Sequence, residues 1–248
     1  GGMLGGLMAA KYPDVFAAVV AGQGIYDLKL WRETTTPGLR ANVDKECLPY
    51  SPAVRFDYER RSAVSFARNL AYTPLIMWHG TWDTWVPPEQ AERLLTAVKQ
   101  HTRFLPEMNW LLNAAHCPRN FDTKWELDRL EYYQNVCEAG FDTPTRFFPT
   151  LNIITDEAKP FYWLTITPAQ GDRFATVNAS LEKNAVTIVT GNVRDLAIDI
   201  DKISKTISCA TYSARSDVPC RVTFTKGGKT VFEATGKQGT LPADLFKR

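Results

Sequence analysis

The sequence predicts an α/β domain followed by an all-β module, and two observations carry this prediction. Up to about residue 148, short apolar segments typical of buried parallel strands alternate with helical patterns. Beyond residue 150, short strands with alternating polarity and turn residues dominate. We therefore expect two domains, residues 1–150 and residues 151–248, with a boundary near 149–152.

Two apolar segments, 16–21 and 74–78, and a third segment, 107–112, predict strands of one parallel sheet. The spacing of apolar residues predicts helices over 88–100 and 122–138, after the second and third of these strands. The order of strands and helices is therefore that of a parallel sheet covered by helices.

Composition and charge exclude several classes of function. The chain has 248 residues and a formal net charge of +2 without a clustered basic patch, which argues against nucleic acid or an anionic membrane as the main partner. No apolar run approaches the roughly 20 residues needed to span a bilayer. The five cysteines lack metal-type spacing, and because their number is odd we expect at least one free thiol.

Asp83 and His116 each follow one of the predicted strands, 33 residues apart. Because the carboxyl ends of parallel strands meet at the edge where ligands bind, we expect the two side chains to share a hydrogen bond there. An aspartate that orients a histidine supplies the acid and the base of a hydrolytic triad. Residues 25–68 are polar and aromatic, and we expect them to cover this edge and shape a substrate site.

Several stretches of residues 1–140 match one enzyme family: GGM (1–3), YPDVFAAVV (12–20), RS (61–62), NL (69–70), HGTWDTWVP (79–87), Gln90 and AH (115–116). On these stretches, residues 1–140 resemble the C-terminal half of the catalytic domain of a prolyl-oligopeptidase-like α/β-hydrolase. The resemblance implies strands equivalent to the sixth to eighth of that fold, Asp83 as the triad acid and His116 as the general base. It implies a peptide or ester substrate, and no metal or organic cofactor.

The nucleophile of this family lies in a Gly-x-Ser-x-Gly-Gly turn, and two alignments to this turn are open. In the first, residues 1–6 (GGMLGG) are the whole turn, and Met3 replaces serine in a non-catalytic scaffold or binding subunit. In the second, Gly1 and Gly2 close the turn, and the serine belongs to an upstream segment or to a second polypeptide that supplies the N-terminal half of the domain. We favour the second alignment because it leaves about three helical turns before the Tyr-Pro-Asp turn.

Several residues of the matching region also have a purely structural interpretation. Asp83 could merely cap the turn before the next helix, and His79 is expected to be structural. Trp82 and Trp85 are candidates for substrate binding, although tryptophans equally often fill a core. Cys117 is not expected to act as a substitute nucleophile, because adjacent residues of one loop normally point apart.

The second domain carries no chemical motif, and its strand pattern predicts a small β-sandwich. The resemblance extends to exported bacterial hydrolases with a β-rich extension, and it implies export. Cys209 and Cys220 could then form a disulfide, and two buried thiols are the alternative. The predicted strands are 161–167, 174–181, 186–190, 193–200 and 207–212, followed by a hairpin of 221–225 and 230–233 around Gly227 and Gly228.

Overall fold

A computed structural model describes residues 1–101, 104–118, 121, 123–136, 147–182, 184–203 and 209–246. The chain folds as two compact units, Gly1–Pro144 and Thr145–Arg248. Each unit has its own sheets, and each is described by itself.

The first unit contains a three-stranded parallel sheet in the order β1–β2–β3. Helices precede, connect and follow these strands, as in the part of an α/β-hydrolase sheet that the sequence predicts. The strands are β1 (Val19–Gly22), β2 (Leu75–Gly80) and β3 (Glu107–Leu111). The α-helices are α1 (Gly2–Lys11), α2 (Leu28–Thr34), α3 (Pro37–Cys47), α4 (Pro52–Arg60), α5 (Glu89–Lys99) and α6 (Thr123–Val136), and two 3₁₀ helices span Ala63–Phe66 and Asn69–Tyr72.

Strand β1 begins at Val19, three residues later than the sequence pattern predicts. The amide of Val19 donates to the carbonyl of Pro74 at 3.0 Å, and β2 begins at the next residue, Leu75. Proline has no N–H group with which to continue the ladder. Residues 16–18 therefore remain outside the sheet, although they are apolar.

Helices α5 and α6 confirm the predicted pattern. Helix α5 buries Ala91, Leu94 and Val98 on one face, as their helical spacing requires. Helix α6 covers Thr123–Val136, and residues 122 and 137–138 of the prediction lie outside the described residues.

The chain between β1 and β2 forms helices α2, α3 and α4 and the two 3₁₀ helices. Asp27 caps α2 by accepting from the amide of Leu30 at 3.0 Å, and Ser51 caps α4 by accepting from Val54 at 3.3 Å. Side-chain acceptors at these positions satisfy amides that a helix leaves open at its start. Local capping thus fixes the starts of two helices in the segment 25–68.

The second unit consists of two five-stranded sheets, ordered β13–β10–β8–β7–β4 and β12–β11–β9–β6–β5. Most neighbouring strands are antiparallel, but β8 pairs with β10 and β9 with β11 in parallel. The strands are β4 (Thr150–Thr155), β5 (Lys159–Phe161), β6 (Leu164–Pro168), β7 (Ala175–Glu182), β8 (Ala185–Gly191), β9 (Val193–Asp199), β10 (Thr211–Ser216), β11 (Arg221–Lys226), β12 (Lys229–Ala234) and β13 (Gln238–Thr240), and helix α7 is Ile200–Ile203.

Each sheet buries one face, because buried residues alternate along β7 and β8 in the first sheet and along parts of β9 and β11 in the second. The chain passes from β8 to β9, and so from one sheet to the other, at Asn192, which has a φ of 53°. The buried Asn192 amide nitrogen donates to the carbonyls of Gln170 and Arg173, each at 3.0 Å. A single asparagine therefore holds this corner between the two sheets.

The structure confirms some predictions for the second unit and corrects others. The hairpin of β11 and β12 turns at Gly227 and Gly228, both with positive φ. The predicted strand 161–167 is divided at Tyr162, and residues 207–208 of the predicted strand 207–212 lie outside the described residues. Cys209 and Cys220 are free thiols, so of the two alternatives the structure shows thiols rather than a disulfide. Burial raises the pKa of Cys209 to about 11.

Candidate active site

Asp83 lies in the loop between β2 and α5, with its side chain fully buried. Its Oδ1 accepts hydrogen bonds from the amides of Trp85 at 3.0 Å and Val86 at 2.9 Å. An aspartate that accepts from amides two and three residues ahead closes a local turn. The loop therefore fixes the orientation of the carboxylate and leaves Oδ2 for a second partner.

His116 lies in the loop after β3 and provides that partner. Its Nδ1 is 2.7 Å from Asp83 Oδ2, and 23% of its side chain is exposed. Within the part of the chain that the structure describes, its other ring nitrogen, Nε2, has no hydrogen-bond partner. The imidazole is thus held on one side and accessible on the other, which is the arrangement a general base requires.

His79 is a second imidazole beside the same carboxylate. It is fully buried, and its Nε2 lies 2.7 Å from the carbonyl oxygen of Val86 and 3.5 Å from Asp83 Oδ2. A carbonyl can only accept, so Nε2 carries the proton. His79 therefore supports the Asp83 loop from inside the protein, a contact that the sequence analysis did not foresee.

The environment of Asp83 lowers its pKa below the ordinary value of 3.8. Burial alone raises the pKa, but hydrogen bonds from His79, the Val86 amide and His116 together outweigh burial and favour the carboxylate. The carboxylate form is therefore the form present at neutral pH.

This depressed pKa predicts how stability depends on pH. A carboxyl whose pKa is lower in the folded state stabilises the fold above its unfolded pKa, and this contribution is lost as the pH falls through the folded value. We expect the free energy of unfolding to decrease below about pH 4, and to decrease less in Asp83→Asn, which cannot titrate. Urea unfolding at a series of pH values measures both curves, and parallel curves would contradict the expectation.

Trp82 and Trp85 lie on the Asp83 loop with 65% and 58% of their surfaces exposed. The ring of Trp85 lies 5.6 Å from the imidazole of His116. The carbonyl of Trp85 accepts from Trp31 Nε1 and Thr35 Oγ1, each at 2.8 Å. The structure thus places both tryptophans on the surface rather than in the core, with the backbone of Trp85 held firmly.

A cavity of about 570 Å³ lies beside His116. The start of helix α1, the end of β1 and the His116 loop enclose it. The lining residues are Gly1, Gly2, Met3, Val20, Gly22, Gln23, Gly24, Ile25, Trp78, Val86, His116, Cys117 and Glu126.

Gly80, the last residue of β2, allows the His116 loop to approach closely. A Cβ atom at this position would lie 2.3 Å from the carbonyl oxygen of Ala114, and the same oxygen accepts from the amide of Trp82 at 2.9 Å. Only glycine leaves room for this backbone contact.

We therefore expect Gly80→Ala to lower the free energy of unfolding by about 1–3 kcal/mol, because backbone has to move. Gly38→Ala is the matched control, since a Cβ atom there meets nothing within 4 Å and alanine favours a helix by up to about 1 kcal/mol. Chemical denaturation of both variants measures the difference. Equal stability of the two variants would show that the contact is not tight.

Gln23 is a site residue that the sequence analysis missed. It follows β1, and its side-chain amide contacts the backbone on both sides of His116. Gln23 and Ala115 are 92 positions apart, and nothing in the sequence around Gln23 indicates that the two residues make contact.

The described residues contain neither a candidate metal-binding group nor a candidate membrane-spanning helix. Among them, no group of three or more His, Cys, Asp or Glu side chains is arranged to hold a metal ion. No helix in the described ranges is long and apolar enough to cross a bilayer.

Comparison with known proteins decides the family. The profile of the prolyl oligopeptidase family matches residues 1–139, which is more than half of the chain. The chain belongs to the prolyl oligopeptidase family. This family region spans β1 to β3 and includes both Asp83 and His116.

Solved structures similar to this prolyl oligopeptidase family member are peptidases. A puromycin-hydrolyzing peptidase of Mycobacterium tuberculosis is 26% identical over 52% of this chain and 20% of its own, with a TM-score of 0.43. The acylaminoacyl peptidase of Pyrococcus horikoshii is 22% identical over 54% and 22%, with a TM-score of 0.40. A putative dipeptidyl aminopeptidase IV of Bacteroides ovatus is 19% identical over 57% and 18%, with a TM-score of 0.37.

The matched region thus spans about a fifth of the length of each of these structures. No curated protein matches the chain significantly.

Proposed function

We propose that this chain carries the acid and the base of a serine hydrolase that cleaves peptide or ester bonds by acyl transfer. The observation that carries the proposal is the 2.7 Å contact between His116 Nδ1 and Asp83 Oδ2, with Asp83 Oδ1 held by two amides. Membership in the prolyl oligopeptidase family supports the same chemistry.

The geometry assigns a role to each group. His116 Nε2 takes the proton of a serine hydroxyl as the oxygen attacks the substrate carbonyl, and later gives this proton to the leaving group. Asp83 accepts from Nδ1–H, which fixes the tautomer and stabilises the imidazolium. The hydrogen bonds that lower the pKa of Asp83 favour its carboxylate form.

We propose that the serine comes from a segment before Gly1 or from a partner chain that supplies the N-terminal half of the catalytic domain. Two features support this proposal. The cavity beside His116 is bounded by Gly1 and Gly2, and among the described residues β1 pairs only with β2. An unpaired edge of a parallel strand is a natural place for a further strand.

We propose that Trp82 and Trp85 bind substrate. Both are exposed aromatic surfaces on the Asp83 loop, and the ring of Trp85 lies 5.6 Å from the imidazole of His116. Such surfaces bind apolar or aromatic groups of a peptide or ester. Residues 151–248 would form a β-sandwich-like module that follows the catalytic region of residues 1–150. The one buried face of each sheet supports the sandwich.

A fluorophosphonate probe tests the proposal on native protein, together with any partner chain that it carries. We expect labelling of one serine, located by peptide mapping, and loss of labelling in His116→Ala. The absence of labelling would favour a non-catalytic scaffold with Met3 at the nucleophile position. Met3, which is inside helix α1 and lines the same cavity, is the residue that this alternative requires.

A further inference from the structure

Gln23 occupies a strained position at the end of β1. Its amide donates to the carbonyl of Trp78 at 3.0 Å, which extends the pairing of β1 with β2 by one residue. Its φ is 48°, a left-handed conformation that is uncommon and unfavourable for a glutamine. Such a conformation persists where surrounding contacts hold it, and here these contacts involve the side chain.

The side-chain amide of Gln23 forms hydrogen bonds with the backbone on both sides of His116. Nε2 donates to the carbonyl of Ala115 at 2.9 Å, and Oε1 accepts from the amide of Cys117 at 2.7 Å. In the reverse orientation, the side-chain NH₂ group would face the N–H of Cys117 and the side-chain oxygen would face the carbonyl of Ala115, so neither hydrogen bond could form. Gln23 is only 6% exposed, so water is a poor substitute for either bond.

Hydrogen bonds to neighbouring segments hold the backbone of the His116 loop in place. It turns through two residues with positive φ, Asn113 and Cys117. On the side of β2 it is attached by the bond from the Trp82 amide to Ala114. On the side of β1, Gln23 makes the two bonds directly adjacent to His116, so the position of the imidazole depends on both attachments.

We infer that Gln23 is a positioning residue that holds the His116 backbone so that the imidazole can act as a base. This inference rests on the proposed function for its effect on activity. The structural part of the inference, that Gln23 restrains residues 115–117, does not require the proposed function. Gln23 acts through His116 and touches no reacting atom.

Gln23→Met removes both hydrogen bonds at similar side-chain size. We expect the rate of fluorophosphonate labelling to fall about 10- to 100-fold, because small misplacements of a catalytic group have effects of this size. In an ester assay the loss should lie in kcat, with KM little changed. Hydrogen exchange of the Cys117 amide should become at least about tenfold faster.

Gln23→Glu is the conservative variant that tests for rescue. A protonated glutamic acid can donate to Ala115 and accept from Cys117, whereas its carboxylate can only accept. We expect labelling of this variant to fall relative to wild type as the pH rises and the introduced group ionises. Gln23→Met should lack this pH dependence.

Gln90→Met is the matched control. Gln90 is a buried glutamine whose Oε1 accepts from the amides of Tyr26 and Asp27, each at 2.9 Å, and neither bond involves residues 115–117. We expect this variant to lose stability but to label within about threefold of wild type. If Gln23→Met and Gln90→Met lost labelling equally, Gln23 would only stabilise the fold in general, and the inference would be overturned.

A second measurement separates this inference from the proposed function. In ¹⁵N-histidine-labelled protein, the downfield Nδ1–H resonance that disappears in His116→Ala reports the bond to Asp83. If this resonance and the exchange of Cys117 are unchanged in Gln23→Met, the inference fails whatever the labelling shows. If wild type is not labelled but both signals change in Gln23→Met, the proposed function fails and the positioning role stands.

Discussion

His116→Ala is expected to lower kcat/KM for ester or peptide hydrolysis by at least about 10³-fold, because the hydroxyl then has no base to take its proton. The imidazole is partly exposed and makes one side-chain hydrogen bond. Its removal should therefore leave the fold intact. Steady-state kinetics with an activated ester measures the effect.

His101→Ala is the control for this substitution. His101 is an exposed histidine just after α5, and the only other histidine of the chain, His79, is buried beside Asp83. We expect His101→Ala to retain activity within about twofold, as is usual for surface changes remote from a site. A loss in His101→Ala as large as that in His116→Ala would show that the effect is not specific to the site.

Asp83→Asn is expected to lower kcat by about 10⁴-fold with little change of structure. An asparagine oxygen can still accept from the amides of Trp85 and Val86, but its NH₂ group then faces His116 Nδ1. The imidazole must accept there, so Nε2 carries the proton and cannot act as a base. Activity across the pH range measures the effect.

Asp83→Ala separates the catalytic effect from the structural one. Alanine leaves the amides of Trp85 and Val86 without their buried acceptor, which costs about 1–3 kcal/mol for each lost partner. We expect Asp83→Ala to be clearly less stable than Asp83→Asn, and both to be comparably inactive. If Asp83→Asn kept most of its activity, Asp83 would be a turn-capping residue only.

The Asp83–His116 contact follows from features that the sequence displays. The apolar segments at β2 and β3 mark neighbouring parallel strands, and the two residues follow directly at their carboxyl ends. Parallel strands bring these ends to one edge of the sheet. Proximity was therefore predictable, although the length of the bond and the burial of Asp83 were not.

Gln23 and His79 could not be found in this way. Gln23 reaches the His116 loop because it adopts a left-handed conformation at the end of β1, and glutamine, unlike glycine or asparagine, does not signal this conformation. His79 contacts Asp83 because the loop folds back between them. Both contacts depend on the path of a loop, which periodicity does not predict.

The second unit shows a different limit of sequence analysis. Alternating burial predicts where strands lie, but it does not determine which strands become neighbours. The parallel pairs β8–β10 and β9–β11 arise because the chain passes between the two sheets at Asn192 and returns. The short strand β13 carries too few residues for a pattern.

The crystal structure of the fluorophosphonate adduct of the native protein tests the account most directly. We expect the adduct on a serine oxygen, with His116 Nε2 within about 3.2 Å of that oxygen and Nδ1 still bonded to Asp83. An adduct on a serine remote from His116, or on Cys117, would contradict the proposal that Asp83 and His116 activate the nucleophile.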